Sequence, residues 1–319
     1  MDIIVSGSIA YDYLMRFPGR FAEHVLMDHL QRISVSFLVE DMTKHWGGNG
    51  GNIAYTMALL GERPKLFGTV GKDFDPYHAW LDSVGVDLST VKRIDDVYVA
   101  SFFANTDLDN NQIGSFYSGA MSYAKQFRIA DVYSGTPDLM IISPNDPIAM
   151  SQYCAECRER GIKFVYDPSQ QVARLNGDDL RTSMEGAYML VVNEYEIMMI
   201  GSKTGLSLDQ IRDMIPVLIV THGKDGSRIY TEGQCIEVPI FECTEVKEPT
   251  GVGDAYRAGL LTGLSHGFPL KLCGEMGALC ATYALEHVGT QNHHFTPAEF
   301  VARFRTQFDD GGLLDQLLA

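Results

Sequence analysis

Hydrophobic positions along this chain fall into short continuous runs separated by stretches of helical period. The strand-like runs lie at residues 2–9, 63–70, 139–143, 163–166, 188–192 and 217–221. Helical spacing occurs at 53–60, 74–84, 146–160, 254–266, 270–287 and 297–308. Apolar strands alternating with helices predict a mainly parallel, doubly wound sheet, because each crossover lays a helix on one face. Runs at 227–231 and 235–240, with no helix between them, predict an antiparallel edge. Two stretches break this rhythm. Residues 14–45 are mixed, with a β-like run at 33–39, and residues 97–118 hold two alternating runs around Asp107-Leu108-Asp109-Asn110-Asn111, a hairpin signal. Both read as insertions that pair into a small separate sheet. No repeat or low-complexity linker divides the chain, so 1–319 is expected to be a single domain.

Charge narrows the partners. With 25 Lys+Arg against 41 Asp+Glu, the formal net charge is −16. Such a surface argues against nucleic acid and anionic membranes. An anionic substrate must then be met by a local pocket of N–H dipoles. The apolar start of the chain is short and lacks a basic segment before it, so it reads as a first buried strand and not a signal peptide. No apolar run approaches a membrane span. The six cysteines are scattered, which fits reduced thiols and a cytoplasmic protein. Cys154 and Cys157 form a C-x-x-C inside a helical pattern with no second pair at zinc spacing, so packing is the expected role.

Candidate chemistry centres on Glu248-Pro249-Thr250-Gly251-Val252-Gly253-Asp254, which opens a helix. A helix start has unpaired N–H groups and partial positive charge, and glycines let an anion approach the backbone. Asp254, ionised at neutral pH, could take a proton from a hydroxyl. The same residues are also a plain glycine turn with a capping aspartate. A branched side chain at Gly253 would meet the anion and strain a positive-φ site. The dinucleotide fingerprint fails because Tyr256 stands where its third glycine belongs, and Gly201-Ser202-Lys203-Thr204 lacks the P-loop ending.

Parallel sheets bind ligands at the carboxyl ends of their strands. Asp12, Asp167-Pro168-Ser169-Gln170-Gln171, Asn193 to Glu196 and the 221–226 loop all follow strand-like runs. Any one of them is explained as a helix cap; four together on one edge make a site.

Three motifs give these residues a family resemblance: Gly7-Ser8-Ile9-Ala10-Tyr11-Asp12, Gly47-Gly48-Asn49-Gly50-Gly51-Asn52, and the stretch 248–254. Over nearly its whole length the chain resembles the ribokinase-like (PfkB) sugar and nucleoside kinases, most closely the bacterial adenosine kinase branch. The resemblance implies a doubly wound α/β sheet with a small β-sheet lid made from the insertions at about 14–45 and 97–118. It implies ATP-dependent phosphorylation of the 5′-hydroxyl of a nucleoside, adenosine first, with Asp254 as general base and Gly251, Val252 and Gly253 as the anion hole. Ser8, Asp12, Gly48 and Asn52 match the substrate side, the last three positions being those that hold ribose hydroxyls. Asn193 and Glu196 match the pair that manages the phosphates, Glu196 reaching Mg2+ through water. Thr221, Gly223 and Gly226 match the loop around the ATP phosphates, and Gln291 is expected near the adenine of ATP. Phe102 and Phe116 resemble base-stacking positions, while Phe103 and Tyr117 alternate to the other lid face. Gln170 and Gln171 would reach base or ribose. The family's last motif opens with Asp-Thr where this chain has Glu248-Pro249, which leaves K+ activation open. A homodimer through the lid is compatible with the resemblance. Two alternatives remain at this point: a sugar or sugar-phosphate kinase of ribokinase or fructokinase type, and a silent binding protein on the same fold.

Overall fold

The computed structural model describes residues 1–24 and 35–318. Its first third runs β1 (Ile3–Ser6), β2 (Ala10–Arg16), α1 (Phe21–His24), β3 (Asp41–Gly47), α2 (Asn49–Leu59), β4 (Lys65–Phe67), β5 (Thr69–Val70), α3 (Asp75–Ser83), β6 (Lys92–Arg93), β7 (Ala100–Thr106) and β8 (Gln112–Tyr117). There follow α4 (Ile129–Val132), β9 (Leu139–Ile142), α5 (Pro147–Arg160), β10 (Phe164–Tyr166), α6 (Gly177–Met184), β11 (Met189–Asn193), α7 (Glu194–Thr204), α8 (Leu208–Met214) and β12 (Val217–Thr221). The chain ends with β13 (Ser227–Thr231), β14 (Gln234–Val238), α9 (Val252–Ser265), α10 (Leu270–Leu285) and α11 (Pro297–Phe304).

Eight strands form the central sheet in the order β14-β13-β12-β11-β10-β9-β1-β4. All neighbours pair in parallel from β12 to β4, and β13 and β14 make the antiparallel edge. Burial on both faces follows from the alternation within each strand. Ile3, Val5, Leu139, Ile141, Met189 and Val191 face one core with α2, α9 and α10. Ile4, Met140, Ile142, Leu190 and Val192 face a second core with α5 and α6. Cys154 and Cys157 are buried in that second core, where desolvation pushes the Cys157 thiol up to about 12, and all six cysteines are free. The chain leaves β1 toward β4 on one side and β9 on the other, so a crevice opens at the carboxyl end of β1. At that exit Gly7 lies against Gly50 in the first turn of α2. A Cβ on Gly7 would sit 2.7 Å from the Gly50 nitrogen, and one on Gly50 would sit 2.9 Å from Gly7 Cα.

A separate four-stranded sheet, β3-β2-β7-β8, stands over the crevice. It begins earlier than the pattern suggested, at Ala10, so Asp12 belongs to a lid strand and not to a loop after the first strand. Residues 35–39 of the β-like run at 33–39 are not strand, and residues 33 and 34 lie outside the described residues. The strand comes instead at Asp41–Gly47, whose polar, mostly exposed residues give no apolar alternation to detect. The run at 63–70 divides at Gly68 into β4, in the main sheet, and β5, which pairs with β6. No helix among the described residues is long and apolar enough to cross a membrane.

Candidate active site

Helix α9 starts on a left-handed residue, Gly251, with φ of 80°. A side chain there would both occupy a disfavoured region and press on Thr290, 3.0 Å from the would-be Cβ. The positive φ thus falls at Gly251 and not at Gly253, which corrects the expectation for this turn. Among the described residues, the N–H groups of Gly251, Gly253 and Asp254 have no acceptor, and that of Val252 reaches Pro249 O only at 3.4 Å. Three free donors and the positive end of the helix dipole thus lie together at this helix start.

Asp254 is buried and held from both sides. Asn49 Nδ2 donates to its Oδ1 at 2.8 Å, and Asn52 Nδ2 to its Oδ2 at 2.9 Å. Both amides come from the first turn of α2, three residues apart and therefore on one face. Burial pushes the Asp254 carboxyl up to about 6, against the opposing pull of Arg257, Asn52 and Asn49. Asp12, on the lid, is pushed up to about 7 by burial first, then by the negative Glu248 and Asp254. Ser8 Oγ accepts from Asn49 N at 3.0 Å, and Gln170 Nε2 donates to Asn49 Oδ1 at 2.9 Å.

These groups line a cavity of about 600 Å³ with Gly48, Gln171, Met121, Pro144, Arg174 and Thr290. Phe102 and Phe116 are direct partners in the β7–β8 register and both line it. Phe103 takes the opposite face of the lid, stacked on Tyr13 at 4.9 Å between centroids. Gln171 Nε2 donates to Asn145 O at 2.9 Å, while its Oε1 has no partner among the described residues. Gly48 has φ of 87°, and its would-be Cβ lies 2.5 Å from Ser8 O, so the cavity wall is backbone against backbone.

Asn193 and Glu196 form a reciprocal capping box at the start of α7. Asn193 N and Nδ2 donate to the two Glu196 oxygens at 2.8 and 2.9 Å, and Glu196 N donates back to Asn193 Oδ1 at 2.8 Å. Glu196 is buried, and desolvation raises its carboxyl above the usual range. Among the described residues no group of three His, Cys, Asp or Glu could hold a metal. A Glu196 so engaged suits contact through water and not direct ligation. Thr221 ends β12 beside Asn193, and residues 223–226 form a tight turn with positive φ at Gly223 and Gly226.

Gln291, expected near the adenine of ATP, sits beside Asn52. It is buried, with Oε1 accepting from Trp80 Nε1 at 3.0 Å and Nε2 donating to Asn52 Oδ1 at 3.0 Å and to Tyr77. These bonds turn its carboxamide toward Asn52 behind Asp254. Glu248 Oε2 accepts from Gly289 N at 2.8 Å. Two residues of the site, Asn49 and Arg257, were given no role by the sequence reading, and Asp167 was placed at the ligand edge without its partner. Asn49 was detectable, since it shares helix spacing with Asn52. Arg257 and its partner Asp167 are far apart in the chain, and no local pattern links them.

A helix-mouth anion turn below a lidded crevice defines a ribokinase-like kinase. The comparisons agree. The nucleoside kinase of Burkholderia thailandensis in complex with inosine superposes with a TM-score of 0.85 at 38% identity, covering 96% of this chain and 98% of that one. The Methanocaldococcus jannaschii nucleoside kinase, an archaeal member of the ribokinase family, gives 0.84 at 26% identity over 96% and 98% of the two chains. In sequence, the nucleoside kinase of Methanothermobacter thermautotrophicus is 30% identical over 311 residues, 96% of each. A family model described as pfkB family carbohydrate kinase matches residues 10–297, and the chain belongs to that family. It is a phosphotransferase.

Proposed function

We propose that this kinase moves the γ-phosphoryl group of ATP to the 5′-hydroxyl of a purine nucleoside, adenosine or inosine, giving the monophosphate and ADP. The observation that carries the reading is one cavity shared by Asp254 at the anion turn and by two lid phenylalanines, Phe102 and Phe116. A pentose alone leaves an aromatic pair with nothing to stack, whereas a base has a π-face for it. The relatives called nucleoside kinases support this, as does the Burkholderia enzyme in complex with ADP-inosine.

In this reading Asp12, Gly48 and Asn52 meet the ribose, Ser8 stands beside them, and Gln170 and Gln171 meet base or ribose. Asn49 and Asn52 hold the Asp254 carboxylate so that one oxygen can orient the hydroxyl and accept its proton as the bond to phosphorus forms. The free N–H groups of Gly251, Gly253 and Asp254 offset charge on the equatorial oxygens. Asn193, Glu196, Thr221, Gly223 and Gly226 border the phosphates. Magnesium, arriving on ATP, supplies charge neutralisation at the phosphates.

The test is ADP release by the purified chain with adenosine, inosine, guanosine, cytidine, ribose and fructose 6-phosphate. Purine nucleosides should give the highest kcat/KM. Preference for ribose or fructose 6-phosphate would replace this reading with a sugar kinase, and no release above the substrate-free rate would leave a binding protein.

A further inference from the structure

Arg257 lies one turn into α9 and points back toward the helix start, as helical side chains do. It is 6% exposed. Its Nη2 donates to Asp167 at 2.6 Å and to Ser169 Oγ at 2.8 Å. Asp167 is wholly buried and is further held by Ser143 Oγ at 2.8 Å and Ser169 Oγ at 3.0 Å. Ser169 adopts φ of 41°, a conformation costly for a residue with a side chain, and one that concentrates at working sites. The other terminal nitrogen, Nη1, has no hydrogen bond among the described residues. It stands 3.9 Å from Asp254 Oδ1 and 2.7 Å from where a Gly253 Cβ would be. One arm of the guanidinium is therefore anchored, and the other lies free beside the anion turn and the proton acceptor.

A buried ion pair costs desolvation that its own attraction repays only in good geometry. Packing alone would be served by a neutral residue. A cation next to a charge that develops during reaction does more, because no reorganisation is needed when that charge appears. We propose that Arg257 is a catalytic residue whose Nη1 contacts the transferring phosphoryl group, making it a guanidinium built into the helix that carries the anion hole. Asp167 and Ser169 are its positioning residues. Arg257 exchanges no proton. The bond from phosphorus to the ADP oxygen breaks with its electrons staying on ADP, the bond to the acceptor oxygen forms, and the acceptor's proton goes to Asp254. By facing Asp254, the same cation favours its ionised form.

The proposal rests on the kinase reading above, and its test separates the two. Two variants are needed: Arg257→Lys, which keeps a charge for Asp167, and Arg257→Gln with Asp167→Asn, which removes the pair together. Each is measured for kcat, for inosine and ADP binding by calorimetry, and for binding of ADP–tetrafluoroaluminate in the presence of inosine, a mimic of the transferring group. Both should bind inosine and ADP nearly as the wild type does, while kcat falls at least about 10²-fold, toward the 10³–10⁵ that arginine fingers supply. Affinity for the tetrafluoroaluminate complex should fall with kcat, and added guanidinium should restore part of the turnover. Near-wild-type kcat in Arg257→Lys overturns the proposal. So does a loss of melting temperature with kcat intact, or failure of both variants to fold, since either makes Arg257 a structural residue. If wild type prefers a sugar, the nucleoside reading fails alone, and the same variants measured on that sugar still decide the role of Arg257.

Discussion

In the proposed mechanism Asp254 acts only when ionised, and burial lifts its titration to about 6. Lowering the pH through that value protonates the acceptor, so kcat/KM should fall on the acid side with a limb near pH 6, about tenfold per unit below it. A limb near pH 4, the range of an exposed aspartate, would show that the burial described here is lost in the working enzyme. Replacing Asp254 with Asn keeps size but removes the proton acceptor, and turnover should drop about 10²–10⁴-fold with inosine binding retained. A pH–rate profile beside calorimetry checks both. Asp254 stood out in the sequence because residue type and helix position coincide. Arg257 did not, because a lone arginine in a helix looks solvated until Asp167 is folded against it. Nothing local reveals that Trp80, Tyr77 and Asn52 bond the Gln291 carboxamide.

The anion turn makes unequal demands on its two glycines. Gly251→Ala meets a left-handed backbone and Thr290 together, so it should cost about 1–2 kcal/mol of stability from strain and misdirect the free N–H groups, with most of the turnover lost. Gly253→Ala has no left-handed backbone to satisfy and meets only the unbonded Nη1 end of Arg257, 2.7 Å from the would-be Cβ, so its melting temperature should fall less than that of Gly251→Ala while kcat drops. Equal loss of stability in the two would mean that the strain lies elsewhere. In the lid, Phe102→Ala or Phe116→Ala should weaken nucleoside binding by about 1–3 kcal/mol and leave the KM for ATP nearly unchanged. If both constants rise with a fall in kcat, the rings serve closure and not the base. The parallel strands of the main sheet were legible because each is a short run buried on both faces. The polar β3 was not, since six of its seven residues are exposed or half-buried and an edge strand needs no apolar alternation.

At the scale of the whole molecule, the eight-stranded sheet and the four-stranded lid share a crevice. The central sheet is sealed by two large cores, whereas the lid's own buried cluster is Ala10, Ala100 and Met121, and all of β8 is exposed. Amides of the lid strands should therefore exchange with deuterium well before those of β1 and β9 to β12, and inosine should slow the lid selectively. Uniform slowing of both sheets would mean that they open together. Doubly wound architecture was readable from alternation alone, but which insertions pair with which depends on contacts between distant strands that no local pattern encodes. The contact of Gly7 with Gly50 has a consequence for how the sequence can vary. Each glycine faces main chain and not the other's side chain, so shrinking one position creates no room at the other. In a saturation library selected for turnover, both columns should return glycine, and neither position should yield a suppressor of the other. The sheet and the helix that carries Asn49 and Asn52 are thus tied by a pair of residues that can drift neither singly nor in concert.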